Sequence, residues 1–166
     1  MSSTINIQGL HHITLVCSNA QRTVDFYTQV LGQRFVKKTV NFDDPGSYHL
    51  YFGDELGHPG SVITFFEWPG APKGHPGIGG THHFAMIVQD YNGLLKWKRR
   101  LMDLDISTYQ RASGHVGVVE DPDGERVRSH ARRGTGLVHV IHVDLVFLRH
   151  AIYVGRPSER RVGTGD

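Results

Sequence analysis

Leu10–Asn19 reads LHHITLVCSN and Thr81–Asp90 reads THHFAMIVQD. The two stretches are the same motif 71 residues apart, as His11 and His82 show when laid over one another. An apolar or small residue is matched at nearly every strand position. The repeat extends into the segments that follow: Val24 pairs with Leu95, Phe26 with Trp97, Val30 with Leu101 and Leu31 with Met102. A His-His pair and four helical core positions repeating in one register indicate an internal duplication, so the chain is read as two copies of one structural unit.

Working outward from the first copy, Gly9–Cys17 is a short β-branched apolar run and predicts a strand. Asn19–Gly32 switches to helical spacing, with Val24, Tyr27, Val30 and Leu31 on one stripe. Ser18 or Asn19 suits the helix start and Gly32 its end, because a side-chain oxygen satisfies orphan amides and glycine accepts a left-handed turn. Three further strands are predicted over 34–42, 47–52 and 61–68, separated by the turn formers DDPG and GDELGHPG. The unit is therefore βαβββ, and the fold class α+β: two tandem βαβββ modules whose mixed four-stranded sheets form a cup, each with its helix on the outer face. The division is 1–70 for the first module, 71–80 for a Gly/Pro-rich connector, 81–135 for the second module and 136–166 for an atypical tail. Each module alone, at about 60 to 70 residues, buries too little to be comfortable, and pairing them solves that.

Side chains alternate across a strand, so the two histidines of each pair face opposite ways. Ile13 and Leu15 share parity with His11, and Phe84, Met86 and Val88 with His82. The bulkier set belongs under the helix, which leaves His12 and His83 on the open face, where two imidazoles from equivalent strands can converge on one ion. Imidazole serves iron, zinc, copper and nickel alike, so the pair names no metal. His11 and His82 then stand behind the ligands or pack. On the third strand His49 and Tyr51 fall on one face together and can line the cup as a proton donor or an aromatic wall.

The segment GLHHITLVCSNAQRTVDFYTQVLG, followed by RFVKKTVNFDDPGSYHLYFGDELGHPGSVITFFEWPGAP, closely resembles the ring-cleaving dioxygenase branch of the glyoxalase, bleomycin-resistance and extradiol dioxygenase (vicinal oxygen chelate) superfamily over about Ile5–Ile106. The resemblance implies a metal, usually Fe(II) and sometimes Mn(II), with Zn(II) or Ni(II) in isomerase relatives. It places ligands on His12 and His83 and expects a glutamate on the last strand. It also implies oxygen-dependent opening of a catechol- or hydroquinone-like ring, with His11 able to shuttle a proton, and a homodimer. The glutamate is missing from its place: Asp121–Gly124 supplies DPDG, but the fourth residue after that glycine is Arg128, whose guanidinium cannot donate a lone pair. Glu67, at the end of the fourth strand, and His130, of the same parity as Arg128, are the substitutes. If Glu67 serves, a glyoxalase-like isomerase is the expectation. If no third ligand exists, a metal-free binding protein of the bleomycin-resistance kind, or an inactive homologue, takes its place.

Other features narrow the partners. The 18 basic and 16 acidic residues give a net charge of +2 without a charge block, which argues against nucleic acid or membrane and for a small molecule, here an aromatic diol with dioxygen. The single Cys17 excludes an internal disulfide framework, and with no signal-like start the cytoplasm is the expected compartment. Eleven of the thirteen arginines lie after Lys98, the last lysine, and the tail 137–154 is apolar without turn formers, which fits an extra strand or helix over the cup or at a dimer contact.

Overall fold

In the computed structural model, residues 9–75, 77–78, 80–110, 116–131 and 142–145 are described. Strand β1 (His12–Cys17) leads into helix α1 (Ala20–Asp25), which continues as a π-helical turn over Phe26–Val30. Strands β2 (Arg34–Val40), β3 (Tyr48–Gly53) and β4 (Val62–Glu67) complete the first module. The second has β5 (Thr81–Val88), α2 (Tyr91–Asp103), β6 (Tyr109–Gln110), β7 (Val116–Glu120) and β8 (Arg126–Ala131), and β9 (His142–Leu145) follows. No helix among the described residues is long and apolar enough to cross a membrane.

The repeat is visible in the helix caps. Asn19 accepts from the Arg22 amide at 2.9 Å and Asp90, its counterpart, from the Gly93 amide at 2.7 Å, so each helix starts on a side-chain oxygen at the same repeat position. Gly32, at φ +76°, ends the first helix in the left-handed conformation expected of it. The helical stripe is interrupted only by the π turn, where the Leu31 amide reaches back to the Phe26 carbonyl.

The first sheet has the order β1-β4-β3-β2, with β1 parallel to β4 and the other pairs antiparallel. The second has the order β6-β7-β8-β5-β9. Its β8 runs parallel to β5 in the same way as β4 to β1, but it has five strands where four were expected. The added strand β9 comes from the tail and pairs antiparallel with the free edge of β5, with a register shift between Thr81 and His83. An apolar segment without turn formers can satisfy a sheet edge, which is one of the roles left open for the tail.

Alternation and register fix which face each residue occupies. In the first sheet Ile63, Phe65, Leu50 and Phe52 are buried on the helix side together with Cys17, and Tyr27 packs on Phe65 and Phe52 with ring centroids 4.8 and 5.2 Å apart. In the second, Phe84, Val119 and Val127 are buried on the helix side with Leu101 of α2. These residues form one core shared by both modules, each fully buried large side chain contributing about 1.5–3 kcal/mol. Polar ties hold the same junction: Arg100 donates to the Val30 carbonyl at 2.9 Å and to that of Gln29, and the Gln33 amide nitrogen approaches the Met86 sulfur at 3.3 Å. Arg100 thus bridges the two helices, whereas Arg99 lies exposed and bonds Asp103 one turn on. The Asp121–Glu125 turn is tied to the first module as well: Tyr27 donates its hydroxyl to Asp121 at 3.0 Å, and Asp123 accepts from Ser18 at 2.6 Å and Arg22 at 2.9 Å. One core thus runs along the helix-bearing faces of both sheets, and His12 and His83 are on the opposite faces.

Candidate functional site

On the open face of the first sheet, register sets His12, Thr14 and Val16 of β1 beside Val62, Thr64 and Phe66 of β4, then Tyr51 and His49 of β3, then Lys37 and Thr39 of β2. Thr64 donates to the Thr14 hydroxyl at 2.9 Å and is fully buried. His49 is stacked between Tyr51 and Phe66, both with centroids 4.2 Å away, and its Nδ1 is 3.0 Å from the Tyr51 hydroxyl. Burial, reinforced by His12 and by the Lys37 ammonium, pulls the His49 imidazole below its usual pKa, so it is neutral at physiological pH. Its buried Nε2 has no hydrogen-bond partner among the described residues. Lys37 sits 5.5 Å from the Tyr51 ring centroid, a cation over an aromatic face. His49 and Tyr51 are thus together on the face that carries His12, with Lys37 beside them.

The two histidine pairs have the same internal geometry. His11 and His12 approach Nδ1 to Nδ1 at 3.0 Å with rings 5.2 Å apart and 87° between planes. For His82 and His83 the values are 2.9 Å, 5.1 Å and 81°. Their surroundings differ. His12 is exposed, whereas His83 is 1% exposed and its partner His82 lies 3.4 Å through Nε2 from the Arg126 guanidinium.

Of the other ligand candidates, Glu67 does not join His12. Glu67 shares the helix-side parity of Ile63 and Phe65, and its Oε1 accepts from the Ala20 amide at 2.6 Å, capping the start of α1. That corrects the expectation of Glu67 as a ligand: its carboxylate is committed to a helix end on the far side of the sheet. His130 pairs with Ile87 and Val116 in register, on the strand parity of Arg128, and its side chain lies outside the described residues. Arg128 occupies the place beside Ala85 on the face that carries His83. Among the described residues no group of three His, Cys, Asp or Glu side chains is placed to hold a metal. His12 fits a metal as a single imidazole, with its Nδ1 engaged and its Nε2 available, but the described residues of one chain do not make a complete ligand set.

Sequence reasoning missed the tie between Tyr27 and Asp121. Burial, with the neighbouring Asp121 charge, drives the Tyr27 hydroxyl well above its usual pKa, and burial raises the Asp121 carboxyl. The DPDG turn was legible only as a hairpin; its contact with the first helix spans 94 residues.

Two mixed sheets built from a duplicated βαβββ unit, with one imidazole of each histidine pair on the face away from the helix, define the fold of the vicinal oxygen chelate proteins. Residues 9–128 match the Glyoxalase/Bleomycin resistance protein/Dioxygenase superfamily, and the chain belongs to that family. It is 43% identical over 118 residues to a Bacillus subtilis (strain 168) protein named as ring-cleaving dioxygenase MhqO, covering 70% of this chain and 38% of that protein. Over 95 residues it is 43% identical to the chlorohydroquinone/hydroquinone 1,2-dioxygenase of Sphingobium indicum, covering 55% of this chain and 28% of that one. A solved Bacillus subtilis structure described as a dioxygenase superposes with a TM-score of 0.67 at 38% identity, over 80% of this chain and 46% of that one. The fosfomycin resistance protein FosX of Listeria monocytogenes shares the fold, with a TM-score of 0.58 at 20% identity over 77% of this chain and 94% of its own. The chain thus spans under half the length of these two curated relatives.

Proposed function

We propose that the chain acts in oxygen-dependent ring cleavage of a catechol- or hydroquinone-like diol, with the open face of the first sheet as the surface that meets the ring. The observation carrying this reading is the placement of His12 on one face with the stacked His49, Tyr51 and Phe66. Relatives at 43% identity that are named as ring-cleaving dioxygenases support the reaction class.

The chain's own groups suit a planar phenolic ligand. Phe66 and Tyr51 offer π faces, and the neutral His49 with the Tyr51 hydroxyl can hold a proton between a ring oxygen and nitrogen. The Lys37 ammonium favours the anionic form of a phenol near Tyr51. Thr14 is exposed on the same face and adds a hydroxyl. His11 fixes the orientation of the His12 ring through the Nδ1 contact. His12 would be this chain's contribution to an Fe(II) or Mn(II) site, and the other donors come from outside the described residues of one chain, a second copy being one source.

The test is oxygen uptake by the purified chain supplied with Fe(II) or Mn(II) and given hydroquinone or catechol. Uptake that disappears in His12→Ala supports the reading. Diol binding of equal strength in wild type and His12→Ala, with no oxygen consumed under either metal, contradicts it. That result favours the metal-free binding protein, a reading to which the guanidinium at position 128 already lends weight.

A further inference from the structure

We infer that the ring meeting the open face of the first sheet also carries a carboxylate, held by Lys37; the substrate class, which rests on the ring-cleavage reading, is a dihydroxybenzoate and not an uncharged diol. Sheet order puts His12 on β1 and Lys37 on β2, at opposite edges of one face. Three strand spacings separate those edges, ~14 Å, and both side chains can reach inward across that span. Between them stand Thr64 and Tyr51, in one cross-strand row with Lys37, bordered by the stacked His49 and Phe66. His12 and Lys37 both bear electrostatically on His49, so a group lying between the two edges feels both. A planar ring laid on the Tyr51 and Phe66 wall with one oxygen toward His12 therefore turns its far end to the Lys37 ammonium.

The charges of the sheet decide what that end is. Its four strands contain a single carboxylate, Glu67, which caps the Ala20 amide on the helix side. Of their Arg and Lys side chains, Arg34 donates to the Glu55 carbonyl at 2.6 Å, and Lys38, on the helix side in register with Leu50, lies 3.4 Å from the Tyr48 ring centroid. Lys37 touches only the Tyr51 ring and has no ion pair among the described residues. An ammonium without a counter-ion, on a face to which the strands bring no carboxylate, is complementary to an anion. A phenolic hydroxyl titrates at about 10, so an exposed lysine leaves it neutral at physiological pH, whereas a carboxyl titrates at about 4 and arrives charged.

Alternation supplies the control, because Lys38 carries the same charge one residue on but faces the other way. Calorimetry without oxygen or added metal, at low and constant ionic strength, compares 3,4-dihydroxybenzoate with catechol and 2,5-dihydroxybenzoate with hydroquinone. Expected is about fivefold tighter binding of at least one carboxylated ring than of its parent in wild type and in Lys38→Gln, an advantage that shrinks with added salt and disappears in Lys37→Gln. Equal binding of both carboxylated rings and their parents in wild type, or an advantage that survives Lys37→Gln or falls as far in Lys38→Gln, overturns the proposal. Oxygen uptake on catechol with no carboxylate advantage would sink the substrate class and leave ring cleavage standing. A Lys37-dependent advantage in a chain that consumes no oxygen would uphold the carboxylated ring as ligand and remove the reaction.

Discussion

Replacing Tyr27 by Phe removes one hydroxyl and leaves the ring stacked on Phe52 and Phe65. The hydroxyl donates to the Asp121 carboxylate at 3.0 Å in a buried setting, and that bond joins the first helix to the hairpin turn of the second module. Losing a donor to a buried charged acceptor costs about 1.5–3 kcal/mol. For a chain of this size that is a fall in melting temperature of roughly 3–12 °C. The loss depends on pH in a definite sense. The folded Asp121 carboxyl titrates above its ordinary value because burial outweighs its hydrogen bonds, so the folded chain holds this proton more tightly than the unfolded one. Stability from this group therefore falls as pH rises from the ordinary carboxylate range through the raised folded value, and is flat above it. The Tyr27 donor favours the ionised form, so the penalty in Tyr27→Phe is largest above the raised value and shrinks as pH falls through it. Thermal unfolding of wild type, Tyr27→Phe, Asp121→Asn and the double variant across that range measures both the size and the coupling. A loss equal at every pH, or as large in the Asp121→Asn background as in wild type, would refute the reasoning.

Two other substitutions test the placement of single residues. Glu67→Ala should cost about 1–2 kcal/mol, because its carboxylate caps the Ala20 amide, and should leave metal uptake by the chain unchanged; reduced metal uptake would return Glu67 to the ligand set. Gly124→Ala should destabilise by about 2–3 kcal/mol in chemical denaturation, since φ is +96° and an added Cβ would meet the Gly74 carbonyl oxygen at 2.6 Å; a neutral result would show that the connector yields at no cost.

Much of this architecture was legible because it is written in period and repetition. The His-His motif, the helical stripe and the two cap positions recur at one offset, and both caps form the same bond. Alternation alone put His49 with Tyr51, and their hydrogen bond bears that out. Alternation also held a signal that went unread: Glu67 shares parity with Ile63 and Phe65, so the pattern that sends those residues to the core sends its carboxylate to the helix side. Strand β9 was not legible as such, since four residues inside an apolar tail carry no turn signal to mark them. The Arg126 contact with His82 spans 44 residues and depends on strand register, which periodicity does not fix. That contact separates two motifs that look alike in sequence, and position 128 is the one place where the sequence itself announced the difference.

Mn(II) titrated into the chain with nitrogen-labelled histidines distinguishes the two pairs directly, through the paramagnetic broadening of each imidazole. The account predicts that the His11 and His12 resonances broaden first and that those of His82 and His83 persist at the same metal concentration. Equal broadening of both pairs, or earlier loss of the His83 signals, would contradict it.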